Sequence, residues 1–139
     1  MFEARQGKEI TLREKNRVGL LFEVSKAIAE KGLSILAING SAHGADCYLQ
    51  LVTDDNLRAR DVLAEMGHEP IEESVIIVEM AHKPGMLKRV SDVLASDEID
   101  IRQVYATAME QQDKCLVVLH TSNDEHALPW LNKTLGCGA

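Results

Sequence analysis

The sequence predicts an α+β protein made of two tandem units, each an antiparallel sheet with two helices on one face. Two observations carry that expectation. The first is an internal repeat. Residues 16–35 and 82–101 align at an offset of 66, pairing Gly19 with Gly85, Leu21 with Leu87, Val24 with Val90, Ser25 with Ser91, Ala29 with Ala95 and Ile35 with Ile101. Six identities in one 20-residue window point to a duplicated unit. The second is the change of period inside each copy. Apolar residues recur three or four apart and then alternate, which is a helix running into a strand.

Taken in order, residues 1–6 are polar and are expected to be loose. Ile10 and Leu12 alternate with Thr11 and Arg13, a short half-buried strand. The helix that follows puts Leu21, Val24 and Ile28 on one face, with Glu23, Lys26, Glu30 and Lys31 largely off it. The same stripe recurs as Leu87, Val90 and Leu94, and both stripes are assigned to the core. Gly32 ends the first helix, because glycine enters the left-handed cap without a Cβ penalty. Residues 34–42 read as a second strand, His43-Gly44-Ala45-Asp46 as a turn, 47–52 as a third strand and Asp54-Asp55-Asn56 as helix-cap chemistry. A second helix covers 57–66 up to Gly67, and Ile71 lies in a weak fourth strand that runs towards 75–78.

The second copy repeats this with a strand at 75–80, a helix to about Ser96, a strand at 99–108, a turn at 109–113 and a strand at 115–119. Asp46 matches Asp113 at an offset of 67, one residue more than the repeat. Asn123-Asp124 caps a last helix that Pro129 is expected to delay or break. Only a short tail through Gly136-Cys137-Gly138-Ala139 follows, so the last strand of the second unit is expected to be short or absent. The predicted domains are therefore 1–73 and 74–139. Strand-helix-strand-strand-helix-strand is the ferredoxin-like split βαβ order, and right-handed crossovers place both helices on one sheet face.

Composition narrows the function classes. At 139 residues, folding buries roughly 68–70% of the unfolded surface, enough for a real core. With 15 Lys and Arg against 22 Asp and Glu, the net charge is −7, and no basic cluster exists to neutralise phosphates. Nucleic-acid and anionic-membrane partners are disfavoured on those grounds. No apolar run approaches the ~20 residues of a membrane helix, and the first residues lack the apolar core of a secretory signal. Cys47, Cys115 and Cys137 are odd in number and show no CxxC spacing, which reads as a reduced, cytoplasmic protein.

The two loops ahead of the paired helices read Asn16-Arg17-Val18-Gly19-Leu20-Leu21 and His82-Lys83-Pro84-Gly85-Met86-Leu87. The helices end in Gly32-Leu33-Ser34-Ile35 and Glu98-Ile99-Asp100-Ile101. Both units thereby resemble ACT domains, the small-molecule-binding regulatory modules of amino-acid metabolism, across about residues 8–130. That family favours an Asn-x-Pro-Gly-x-Leu loop and a Gly-(Val/Ile)-Asn-Ile strand entry. Here Val18 stands for the proline, His82 for the asparagine, and neither copy keeps the second asparagine.

The loop chemistry also stands by itself. A helix N-terminus offers unpaired N–H groups and partial positive charge to a carboxylate, and the Asn16 amide both donates and accepts. The resemblance further implies that the start of the second strand in a neighbouring copy completes each pocket. That pairs Asn16, Arg17, Val18, Gly19 and Leu20 with Asp100, and His82, Lys83, Pro84, Gly85 and Met86 with Ser34. Asp100 would then hold an ammonium, making the Gly19 site the stronger one for a zwitterion.

Plainer readings exist beside these. Each glycine also suits a tight turn without a ligand, Asn16 an N-cap, and Asp100 a solvated strand start. Trp130 reads as packing or an interface anchor. No His and Cys spacing matches a zinc site, and no GxSxG or HExxH is present. The expectation is a non-catalytic regulatory protein, without cofactor or metal, that binds an amino acid or related small carboxylate and forms a homodimer. A ligand-free regulatory subunit docking on a metabolic enzyme is the alternative, and a His/Cys metal sensor comes third.

Overall fold

The computed structural model describes residues 2–136; Cys137 and the rest of the tail lie outside the described residues. Its elements are β1 (Phe2–Lys15), α1 (Leu20–Glu30), β2 (Ile35–His43), β3 (Asp46–Thr53), α2 (Asn56–Glu65), β4 (Ile71–Ala81), α3 (Met86–Ser96), β5 (Ile101–Met109), β6 (Lys114–Thr121) and α4 (Asp124–Leu131). A 3-10 turn, Glu110–Gln112, joins β5 to β6, and a π-helical turn, Asn132–Gly136, follows α4. Two compact units result: residues 8–73, and residues 1–7 together with 74–139. The 8–73 unit has the ferredoxin-like order, and the other has the same pattern with its outer strand drawn from the chain start.

In the 8–73 unit the neighbours run β2-β3-β1, all antiparallel. Ile10 and Leu12 of β1 and Leu49 and Leu51 of β3 turn the same way and meet α1 and α2 in one core. In the other unit the order is β1-β4-β6-β5. There Ile76, Val78, Val117 and Leu119 meet Val90 and Leu94 of α3 and Ala127 and Leu131 of α4. Both helices of each unit thus share one sheet face, and alternation along the strands sets which face.

The chain start is strand rather than loose coil. Phe2–Gly7 belongs to the unit with 74–139 and supplies the outer strand that no segment after α4 provides among the described residues. Tertiary pairing overrides the polar composition here. Arg5 lies 3.9 Å from Glu79, and Gln6 donates to the Ser74 hydroxyl at 3.4 Å. A Cβ on Gly7 would fall 2.2 Å from Ile77 Cδ1, so the missing side chain makes room for Ile77. The outward backbone of Ala4 finds a side chain instead of a strand. Its N–H donates to Asn132 Oδ1 at 2.9 Å, and Asn132 Nδ2 donates to its carbonyl at 2.7 Å.

The buried helix stripes are Leu20, Val24, Ile28 and Met86, Val90, Leu94. Leu21 and Leu87, assigned to the core from spacing, are 53% and 49% exposed. The cause is where the helices begin. Gly19 and Gly85 are the N-caps, so the first helical residue, four before the valine, points inward, and the next one flanks the stripe. Asn16 is not the cap. Both helices end alike: Gly32 N–H reaches Ala29 C=O and Leu33 N–H reaches Ile28 C=O, as Glu98 does to Ala95 and Ile99 to Leu94. Gly32 has φ 72°, and Glu98 takes the same left-handed conformation at φ 56° with a side chain attached.

Beyond the second strands the repeat shifts by two residues, not one. Lys15 pairs with Asp46 and Ala81 with Lys114, so position 46 corresponds to 114. Gly44 and Ala45 form the first hairpin loop, whereas residues 110–113 form the second, closed by Asp113 at φ 50°. At this offset Cys47 answers Cys115 and Thr53 answers Thr121. Both copies carry a register shift at the start of the second strand, between Ile35 and Ala37 and between Ile101 and Gln103. Asp55 and Asn123 cap α2 and α4 by accepting from Arg58 N–H and His126 N–H. α4 runs through Pro129 to Leu131 instead of stopping there. Pro129 offers no N–H to the turn before it, and the chain widens to π geometry just beyond.

Three outcomes follow for stability, each read by urea unfolding. Leu20→Ala should cost about 2–5 kcal/mol as a buried truncation, and Leu21→Ala about 0.5 kcal/mol; equal costs would misplace the stripe. Asn132→Ala leaves the Ala4 N–H and C=O unpaired at about 1–3 kcal/mol each, and amide exchange at Ala4 should speed up. Glu98→Gly should gain about 0.5–1 kcal/mol, since relief of left-handed strain exceeds the entropy glycine adds to the unfolded chain. A loss on Glu98→Gly would contradict the strain.

Candidate functional site

The two strand-to-helix loops have the same backbone. Gly19 and Gly85 both sit at φ 89°, a conformation that costs any L residue, and a Cβ at either would meet nothing within 4 Å. These glycines answer to backbone conformation, not to crowding. Leu20 N–H reaches Arg17 C=O and Met86 N–H reaches Lys83 C=O, both at 3.4 Å. Each loop is tied to its own hairpin turn: Asn16 N–H donates to Ala45 C=O at 2.7 Å, and His82 N–H to Asp113 C=O at 2.8 Å. Neither α1 nor α3 has a side-chain cap.

Electrostatics separates the loops. Arg17 donates to Glu23 at 2.5 Å, which raises the guanidinium pKa and lowers that of the carboxyl. Glu23 is also the acid in the first turn of α1, so that helix start and that loop cation are already compensated. Val18 is fully exposed and Leu20 is buried core. At α3 no acid occupies the first turn. Lys83 and Lys88 are exposed, and neither forms an ion pair among the described residues. α2 has its Asp55 cap, and α4 has Asn123, Asp124 and Glu125. Among the described helices, only α3 begins with neither a cap nor an acid.

That start opens on a groove of about 360 Å³. Its basic and backbone side comes from His82, Lys83, Gly85 and Lys88, and its apolar side from Met80, Met86, Leu87, Ala106, Ala108 and Cys115. Met80, Met86 and Cys115 are buried, and burial raises the Cys115 thiol pKa, keeping it a protonated, soft wall. Of the predicted loop residues, His82, Lys83, Gly85 and Met86 line one cavity, while Pro84 is exposed beside it. Lys88, Met80, Ala106 and Ala108 were not singled out by sequence, and Cys115 was weighed only for its cysteine spacing. Only the two-residue hairpin shift that equates Cys115 with Cys47 could have drawn notice to one of them.

Ser34 and Asp100 lie elsewhere in their units. Each begins the second strand, at the opposite sheet end from its own unit's loop. Ser34 N–H donates to Asp54 Oδ1 and Asp100 N–H to Ser122 Oγ, both at 3.0 Å. Trp130 is half-buried, stacked on His126 and overlain by Lys133. Among the described residues there is no group of three or more His, Cys, Asp or Glu able to hold a metal, and no helix long and apolar enough to cross a membrane.

No protein-family model matches the chain, and no curated protein matches it. Solved structures do. A protein of Bacteroides thetaiotaomicron is 21% identical, with a TM-score of 0.86 over 94% of this chain and 89% of that one. The ligand-free regulatory subunit of aspartate kinase from Thermus thermophilus is 19% identical, with a TM-score of 0.66 over 96% of both chains. E. coli aspartokinase III in complex with aspartate and ADP is 21% identical with a TM-score of 0.64, and 97% of this chain matches 33% of that one. The chain has the tandem ACT fold, two ferredoxin-like units in succession, and is similar in fold to the aspartate kinase regulatory subunit.

Proposed function

We propose that this chain is a non-catalytic regulatory module that binds a small organic anion in the 82–86 loop groove. The observation carrying this reading is the start of α3. A helix N-terminus with partial positive charge opens, uncapped and without a first-turn acid, on a groove lined by Lys83 and Lys88, neither of which forms an ion pair among the described residues. A bound carboxylate satisfies the N–H groups and offsets the converging positive charge at once. The volume, about 360 Å³, sits at the small end of ligand pockets. The regulatory part of the reading is supported by fold likeness to aspartate kinase regulatory subunits.

Thermal shift against a panel of amino acids and small carboxylates tests it. A native-state ligand at 100 times its Kd adds about 2.7 kcal/mol of stability. Lys83→Gln and Lys88→Gln should each weaken the hit by about 1.5–3 kcal/mol if the lysine makes a charge-assisted hydrogen bond. Arg17→Gln, at the compensated loop, should leave that affinity unchanged. A panel with no hit would favour a ligand-free module that docks on an enzyme.

A further inference from the structure

We infer that His68 is a proton-operated tie for the first loop, holding the Glu14 carboxylate when charged and releasing it towards Arg17 when neutral. The His68 side chain is 8% exposed, and its Nδ1 lies 2.5 Å from Glu14 Oε1, across 54 residues of sequence. Neither residue lines the 82–86 groove, so the inference stands apart from the anion reading. Local structure fixes the imidazole. Gly67 ends α2 at φ 91°. Its N–H reaches Ala64 C=O at 3.0 Å, and His68 N–H reaches Leu63 C=O at 3.1 Å. This is the Schellman ending, which anchors the residue after the glycine on the last helical turn. Leu63 is core, so His68 is held by a buried turn. The negative end of α2 suits a cation there. Glu14 stands two residues before Asn16, at the end of β1, and carries the contact to the loop.

Four charged groups meet around that loop: Glu14 on β1, Arg17 in the loop, Glu23 on α1 and His68 after α2. Arg17 donates to Glu23 at 2.5 Å. That bond is the main cause of the lowered Glu23 carboxyl, and the charge of His68 lowers it further. The same bond dominates the rise at Arg17, and Glu14 adds to it. Both cations therefore feel both acids. With His68 protonated, two cations match two acids in the pairs observed, His68 with Glu14 and Arg17 with Glu23. With His68 neutral, two carboxylates face one guanidinium, and the contacts of the 16–19 loop are redrawn. An imidazole changes charge between about pH 5 and 8. Glu65 and Glu69, the charged neighbours on its own segment, are exposed. The unit's other imidazole, His43, contacts Ser41 and Tyr48 and precedes Ala45, whose carbonyl holds Asn16 N–H. At the repeat offset Met80, Lys83 and Arg89 stand for Glu14, Arg17 and Glu23, so the second loop has no counterpart of this acid pair at those positions.

The test is an NMR titration of the full chain from about pH 5 to 8, following the His43 and His68 rings and the backbone amides of the first loop. The Arg17, Gly19 and Glu23 amide shifts should follow the His68 ring with one shared midpoint. In Glu14→Gln the ring still titrates and those amides should lose most of the response. In His68→Gln they should lose it outright, with circular dichroism checking that each variant folds. The wild-type comparison needs neither variant, so it decides even where one fails to fold. Loop amides that follow His43, or that stay fixed while His68 titrates, would overturn the tie. So would an undiminished response in Glu14→Gln, or a His68 ring that does not titrate across this range.

Discussion

A left-handed glycine at the head of a helix is the constraint on which most of each unit depends. With φ at 89°, Gly85 turns the chain from β4 into α3 within a few residues and makes Met86 the first helical position. Once that position is set, a spacing of four carries Met86, Val90 and Leu94 onto the sheet and holds Leu87 at the flank. The same turn leaves the first N–H groups of α3 without a side-chain cap and brings Lys83 and Lys88 to one groove. Core packing and binding chemistry thus share one backbone conformation. Gly19 repeats that conformation in the 8–73 unit, where the core consequence is the same and the electrostatic consequence is different.

That divergence shows how a duplicated unit can keep its architecture and change its chemistry. The backbone bonds from the loop to the hairpin turn, the left-handed helix ends, the strand-entry register shifts and the caps of α2 and α4 recur in both copies. They are local solutions to orphaned backbone groups, and each copy must solve them to fold. Charges on the exposed loops answer to no such demand. Glu23 in one copy and Lys88 one position earlier in the other's helix numbering are both compatible with the helix, yet the first start is compensated by the Arg17–Glu23 pair and the second is left positive.

The repeat, the element order and the helix ends were legible because periodicity and glycine placement encode local geometry. Leu21 was misplaced because Leu20 and Leu21 are both leucine, and only the position of the first helical residue separates them. The outer strand at Phe2–Gly7 was illegible for a deeper reason. Its residues alternate poorly, and what holds it is distant in sequence: Glu79, the space over Ile77, and Asn132 closing on Ala4. The groove was half legible. Its loop residues stand in a contiguous motif, but Met80, Ala106, Ala108 and Cys115 come from three strands and converge only through register.

Fold likeness at 19–21% identity fixes the architecture and says nothing about which small molecule the groove admits. The ligand class has to come from the lining itself. A site for a free amino acid needs a cation-facing element and an anion-facing element within one ligand's span. Among the described residues, the 82–86 groove presents Lys83, Lys88 and the α3 start to a carboxylate and Met80, Met86 and Cys115 beside them. Asp100, which the loop resemblance offered to the Asn16–Leu20 loop for an ammonium, begins the second strand of its own unit with its N–H held by Ser122. What the described lining supplies is positive charge at the α3 start beside apolar side chains, and that combination is the basis for proposing a small organic anion.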